Sequence, residues 1–223
     1  MARTLLITGA SSGIGAATAR AAAAKGWNVA MLARSAETLD ALASEIGDAA
    51  LAVPCDVTDR DALREAIRQA NDHLGGLDAV FANAGKGVSN AGIEKGDPDE
   101  WHDMIHLNIL AVLNTAHLVM PHLRKTKGHF IVTGSKAGRD HMKGSVYSAT
   151  KWFIHGLSEN IAEEMREWGG RATVIAPGMV NTGFFDEEMP TKIPPEDVAA
   201  AVMFAIEQPK TSAVREIYLM PTD

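Results

Sequence analysis

Short apolar runs alternate along the whole chain with longer segments whose apolar residues recur at helical spacing. The apolar runs Arg3–Thr8, Trp27–Ala33, Ala49–Val53, Asp78–Ala82, His129–Thr133, Arg171–Ala176 and Arg215–Leu219 read as strands. Between them, Gly13–Lys25, Ala36–Ile46, Asp59–Leu74, Pro98–Leu123, Val146–Trp168 and Pro195–Glu207 read as helices. The punctuation agrees: Gly26 follows the first helix, Ser35 stands where it can cap the second, and Pro195, Glu196 and Asp197 suit the first turn of the last. Strand–helix alternation requires parallel strands joined by helical crossovers. The pattern therefore predicts an α/β fold, a doubly wound seven-stranded parallel sheet (Rossmann fold) in a single domain spanning residues 1–223. In such sheets ligands gather outside the carboxyl ends of the strands, so the residues following each strand carry the functional question.

Composition narrows the class. Of 223 residues, 46% are hydrophobic and 22% charged, enough for one buried core without disulfide or structural metal. The net charge of −7 with interspersed signs lacks the clustered basic face of a nucleic-acid binder. Cys55 is the one cysteine; it ends an apolar run and reads as a small buried side chain, which fits a reducing compartment. The first strand begins at once, with no leader pattern before it, and Arg20 and Lys25 interrupt the alanine-rich stretch that follows. A cytoplasmic protein with no membrane partner is the expectation. His102 and His106 lie one helical turn apart, but the residue after the first is Asp103 and not the glutamate of a metalloprotease motif; they read as a solvated helix face, so no metal site is expected.

The first strand runs into Thr8-Gly9-Ala10-Ser11-Ser12-Gly13-Ile14-Gly15 and then a helix. Glycines permit the tight turn and let backbone approach a pyrophosphate, while the helix start offers unpaired N–H groups and a positive dipole end. One glycine would serve an ordinary turn; three with two hydroxyl residues point to a dinucleotide held by Gly9, Ser11, Ser12, Gly13, Ile14 and Gly15. The second strand ends at Ala33-Arg34-Ser35 without the acid that would bind ribose hydroxyls. Arg34 can instead grip a 2′-phosphate, which a carboxylate would repel, so the expected cofactor is NADP(H).

Thr-Gly-x-x-x-Gly-Ile-Gly resembles the cofactor motif of the short-chain dehydrogenase/reductases, and later strand ends extend the resemblance over nearly the whole chain. Asp56-Val57 resembles the segment beside the adenine, although by chemistry alone Asp56 reads as a cap for the helix starting near Asp59. Asn83-Ala84-Gly85 resembles the family's Asn-Asn-Ala-Gly, with Ala82 replacing the first asparagine. Pro177-Gly178-Met179-Val180-Asn181-Thr182 resembles the segment whose Val180 backbone and Thr182 hydroxyl hold the nicotinamide carboxamide. Beyond it, Phe184, Phe185 and Met189 are expected as apolar contacts in a small lid.

Tyr147 and Lys151 lie four apart, one above the other on a helix face. With Ser135 and Asn108 they resemble the family's Asn–Ser–Tyr–Lys tetrad. Reduction of a ketone puts negative charge on the carbonyl oxygen, and a proton must arrive there. A free phenol titrates near 10, so a neighbouring ammonium that favours phenolate makes exchange feasible near neutrality. The resemblance implies Tyr147 as acid/base, Ser135 holding the substrate oxygen, Lys151 lowering the Tyr147 pKa and binding ribose, and Asn108 anchoring a proton-relay water. Tyr147 follows Ser135 by twelve positions, one fewer than is usual in the family, and the intervening Lys136–Ser145 loop is polar enough to face an anionic substrate or simply solvent. The implied function is hydride exchange between NADP(H) and a small carbonyl or alcohol. A catalytically silent NADP-binding redox sensor is the rival. A longer sugar-nucleotide epimerase is not supported, because little chain follows the last strand. Trp152, Phe153, Leu157 and Ile161 spread apolar surface around the Tyr147 helix, and the family's habit of pairing this helix implies a homotetramer, or failing that a dimer.

Overall fold

The computed structural model describes residues 2–90, 92–184 and 191–222; Phe185 and Met189 of the expected lid lie outside them. Seven strands, β1 (Thr4–Thr8), β2 (Asn28–Ala33), β3 (Ala50–Pro54), β4 (Ala79–Ala82), β5 (His129–Thr133), β6 (Arg171–Pro177) and β7 (Glu216–Leu219), form one sheet in the order β3-β2-β1-β4-β5-β6-β7. Every pairing is parallel. The chain therefore reverses its direction of growth between β1 and β4, which opens a crevice at their carboxyl ends.

Both faces of the sheet are covered, which is why its strands read as continuous apolar runs rather than alternating ones. Leu6, Ala30, Leu32, Phe130, Val132 and Val174 point to one face, packed by α3 (Arg60–Leu74), α5 (Ala111–Thr126) and α6 (Val146–Arg166). Leu5, Ile7, Val29, Met31, Ile131 and Ile175 point to the other, under α1 (Gly13–Ala24), α2 (Ala36–Ile46) and α7 (Pro195–Glu207). The alanines of α1 leave room for it to lie against α7 and close to the sheet. Gly26 turns the chain out of α1 with φ at +78°, and Ser35 caps α2 by accepting from the Thr38 N–H at 3.4 Å. At the far end of the sheet, Arg171 donates to the carbonyls of Gln208 and Ser212 at 3.0 and 3.2 Å, tying the exit of α7 to β6.

Three expectations change. The segment expected as one helix from Pro98 is α4 (Pro98–Ile105), a wide π turn (His106–Leu110) and then α5, which runs on to Thr126 despite Pro121. Pro98–Thr126 is long and apolar enough to cross a membrane by length and composition; here Val112, Ala116, Val119 and Leu123 of α5 sit in the core. Asp56 caps no helix, since Asp59 takes that place by accepting from the N–H groups of Asp61 and Ala62. Of the apolar positions on α6, Ile161 is buried in the core and Leu157 packs against it, while Trp152 and Phe153 remain exposed. Cys55 is buried, and burial raises its thiol to about 11, leaving no thiolate near neutrality.

Candidate active site

The turn after β1 is a preformed cradle. Gly9 has φ at +66° and Gly13 at +50°, conformations that side chains resist. A Cβ on Gly15 would lie 2.2 Å from the Gly9 carbonyl oxygen, so α1 can start this close to the turn only with glycine there. Ser11 is half-buried, and Ser12, exposed at the start of α1, makes no side-chain cap. The first-turn N–H groups of α1 are thus left for a ligand, the arrangement a pyrophosphate requires. Ile14 packs on the core and orients the helix start. Thr182 closes the cradle from the far side, where a Gly13 Cβ would meet its Cγ2 at 3.0 Å.

Around this cradle the other strand ends take up fixed places. Arg34 is exposed after β2 and makes no hydrogen bond or ion pair among the described residues. It stands near Asp56, whose carboxylate is held below its usual range first by the N–H and hydroxyl of Thr58, and further by Arg34 and His106. Val57 is buried in the core, so only its backbone is available to an adenine. Gly85 lies against Asn108, whose Oδ1 a Cβ there would meet at 3.2 Å. Pro177 ends β6 buried; Gly178 bonds the Leu219 carbonyl at 2.7 Å beneath Met220 and Pro221, and Val180 bridges to Ile193.

Asn83 is spent on the fold. Its Nδ2 donates to the carbonyls of Thr8 and Gly9 at 3.3 and 3.2 Å, its Oδ1 accepts from the Thr133 hydroxyl at 3.0 Å, and its N–H meets the Thr8 hydroxyl at 3.0 Å. The Ala84 N–H shares that hydroxyl at 3.1 Å. Ala82, where the family motif has its first asparagine, sits in the core and orphans no polar partner.

Ser135, Tyr147 and Lys151 converge beyond β5. Ser135 opens a 3₁₀ turn (Lys136–Gly138) and its Oγ accepts from the Ala137 N–H at 3.1 Å, which turns its own proton outward, to the side where it bonds the Tyr147 phenol. Ser145 caps α6 by accepting from the Ser148 N–H at 3.1 Å, fixing the helix start that carries Tyr147. The Ser148 hydroxyl donates to the Ala137 carbonyl at 2.6 Å and binds the turn to the helix. Lys151, buried, donates to the Thr133 carbonyl at 2.8 Å, with its Nζ 5.7 Å from the Tyr147 ring centroid. Phe184 leans over the Tyr147 ring at 5.8 Å between centroids.

Residues 3–192 match the family model described as short chain dehydrogenase. The chain belongs to the short-chain dehydrogenase family. This dehydrogenase is 37% identical to an uncharacterised oxidoreductase of Staphylococcus aureus, over 97% of this chain and 96% of that protein. It is 33% identical to serine 3-dehydrogenase of Agrobacterium fabrum, over 100% of this chain and 95% of the relative. Among solved structures, an alcohol dehydrogenase of the archaeon Thermococcus sibiricus complexed with 5-hydroxy-NADP superposes with a TM-score of 0.92 at 29% identity, covering 100% and 97% of the two chains.

The cluster departs from expectation in its electrostatics. Burial raises the Tyr147 phenol, with the Ser135 hydroxyl pulling the other way, while the Lys151 Nζ is turned to the Thr133 carbonyl. Burial instead depresses Lys151 itself, to about 8. The Asn108 side chain, expected to hold a water, is engaged with protein: its Oδ1 accepts from the Lys86 N–H and its Nδ2 donates to the Lys86 carbonyl, both at 2.9 Å, and to Thr150 Oγ1 at 3.2 Å. In the loop after Ser135, Lys136 pairs with Asp140 at 2.8 Å and Arg139 with Glu216 on β7, while Lys143 is exposed. Periodicity gave no hint of His155, whose Nε2 lies 3.2 Å from the Ser135 carbonyl; Gly134 and Gly138, which make room for its ring, were the available signal.

The depressed Lys151 couples stability to pH. Between about 8 and its ordinary value of 10.5 the unfolded chain holds the Lys151 proton and the native dehydrogenase does not, so native stability rises with pH across that window. Lys151→Met loses this response. Urea denaturation at pH 7, 8.5 and 10 should show the parent gaining roughly 3 kcal/mol on the variant as pH rises. A gap that does not change with pH would mean Lys151 titrates as an exposed lysine.

Proposed function

We propose that this short-chain dehydrogenase uses NADP(H) to interconvert a small carbonyl and its alcohol. The observation that carries the reading is the convergence of Ser135, Tyr147 and Lys151 beside the Gly9–Gly15 cradle, at the sheet edge where α/β folds bind ligands. The glycine cradle with Thr182 would hold the pyrophosphate and nicotinamide end, Asp56 and the Val57 backbone the adenine, and Arg34 the 2′-phosphate. When bound, the dinucleotide supplies or accepts the hydride. Ser135, its oxygen already satisfied by Ala137, donates its proton to the substrate oxygen. Tyr147 delivers or removes the proton at that oxygen. A bound ribose gives the Lys151 ammonium a partner beside the phenol, and bringing that positive charge to bear opposes the rise that burial imposes on Tyr147. Asn108 enters any proton relay through its main chain in the π turn, its side chain being committed to Lys86. Phe184 makes an apolar wall over Tyr147 that excludes water from the reacting atoms. The serine 3-dehydrogenase relative makes short 3-hydroxy acids and the corresponding oxo acids the first substrates to try.

Three measurements test this reading. NADPH should bind more tightly than NADH, and Arg34→Asp should cost NADPH about 10–100-fold in affinity by removing a charge-assisted contact and adding repulsion. Equal affinity of the parent for both cofactors overturns the NADP assignment. Tyr147→Phe keeps the ring but removes the proton, and should slow turnover by about 10²–10⁴-fold with NADPH binding unchanged. A phenylalanine variant working at the parent rate would favour the redox-sensor reading.

The third concerns assembly. Ile105, Leu110, Trp152 and Phe153 are exposed on the outer helices, and Trp152 borders a groove of about 370 Å³ with His141, Met142 and Lys143. We read this face as covered by a second copy of the chain in a homotetramer or dimer. Sedimentation should give a closed oligomer that Trp152→Glu weakens; a monomer at micromolar concentration contradicts it.

A further inference from the structure

The Ser135 carbonyl has two lone pairs and both are taken. The Gly138 N–H donates to it at 2.9 Å within the 3₁₀ turn, and His155 on α6 approaches with Nε2 at 3.2 Å. The imidazole reaches this carbonyl because two glycines flank it. A Cβ on Gly134 would meet His155 Nε2 at 2.8 Å, and one on Gly138 would meet Cδ2 at 2.7 Å. The other ring nitrogen faces the last strand, with Nδ1 3.6 Å from Oε1 of Glu216. Glu216 is itself gripped by Arg139, whose Nε donates to Oε1 at 2.6 Å and whose other guanidinium arm donates to Oε2. The ring is largely enclosed, its side chain 14% exposed.

We propose that His155 is a positioning residue for the reaction, pinning the Ser135 carbonyl so that the Ser135 hydroxyl keeps its aim at the substrate oxygen. The inference rests on the carbonyl–alcohol reading above. A neutral imidazole carries one N–H, and both of its nitrogens face oxygens, so the environment chooses the tautomer. Burial lowers the His155 pKa, against the pull of Glu216 and the Ser135 carbonyl, while Arg139 and Lys151 lower it further; the ring is therefore neutral near pH 7. Arg139 occupies the Glu216 carboxylate, which leaves Nε2–H as the tautomer that satisfies the Ser135 carbonyl. With the carbonyl held twice and Oγ accepting from Ala137, the serine hydroxyl is turned to the side where it bonds the Tyr147 phenol. Small losses of alignment at such a donor are expensive in rate.

The test compares His155→Leu, which fills the space without bonding, with His155→Gln, whose amide N–H can reach the carbonyl and does not titrate. NADPH with acetoacetate, the oxo acid of 3-hydroxybutanoate, is the assay. His155→Leu should lower kcat by about 10–100-fold with KM for NADPH within about twofold, and His155→Gln should restore the rate to within about threefold of the parent. Adding His155→Leu to Ser135→Ala should cost less than about threefold beyond Ser135→Ala alone, because the histidine acts through the serine. Hydrogen exchange of residues 134–140 reads the same hold without turnover: it should quicken about tenfold in His155→Leu and not in His155→Gln. His155→Asn, polar but too short to reach the carbonyl, should behave as the leucine variant does, which keeps the comparison if His155→Leu fails to fold. Unchanged kcat in an active His155→Leu protein, a fully multiplicative double variant, or unchanged exchange overturns the proposal. A parent protein that reduces no carbonyl overturns the proposed function instead, and exchange alone then decides the clamp.

Discussion

One asparagine holds the working edge of this sheet together. Asn83, at the end of β4, bonds the Thr8 and Gly9 carbonyls on one side and the Thr133 hydroxyl on the other, so three neighbouring strand ends are fixed to a single side chain. Thr8 and Gly9 begin the glycine cradle, and the Thr133 carbonyl receives Lys151. The distance between the cradle and the Ser135–Tyr147–Lys151 cluster is therefore set by a few short hydrogen bonds among half-buried groups. Such bonds are strengthened by their dry surroundings and costly to leave unmade. A dinucleotide spanning the two sites meets a spacing that already exists.

The same edge carries the main electrostatic burden of the fold. Lys151 is buried with the Thr133 carbonyl as its hydrogen-bond partner, and burial moves both Lys151 and Tyr147 toward their neutral forms. Stability alone would favour an apolar residue at position 151. Under the proposed function a bound ribose would be a second partner for the ammonium, which would tie the cost of burying it to the gain on binding.

Much of this was legible in the residues. Continuous apolar strands separated by helical patterns announce a parallel sheet buried on both faces, and β2, α2, β5 and α7 fall where the pattern puts them. The glycine turn and the Tyr147–Lys151 spacing are local, so sequence carries them directly. What stayed hidden is long-range. That Asn83 is a strut depends on Thr8 and Thr133, 75 and 50 residues away. That Arg139 faces β7 rather than a substrate depends on Glu216, 77 residues on. The competition between burial and charge at Tyr147 depends on where Lys151 points, and a spacing of four specifies adjacency, not direction. The π turn was hidden because apolar residues on both sides of it keep a helical period while the phase between them slips.

That phase slip has a mechanical consequence. A regular helix turns about 100° per residue, so the wide turn at His106–Leu110 lets α4 and α5 each keep an apolar face inward, Met104 before it and Val112 and Ala116 after it, with Asn108 buried between. Asn108 in turn clasps both polar groups of the Lys86 peptide. The loop leaving β4 and the joint between the two helices are thus fastened at one side chain, so a shift of that loop would have to stretch the same two hydrogen bonds that seat the joint, on whose outer side Leu110 stands exposed.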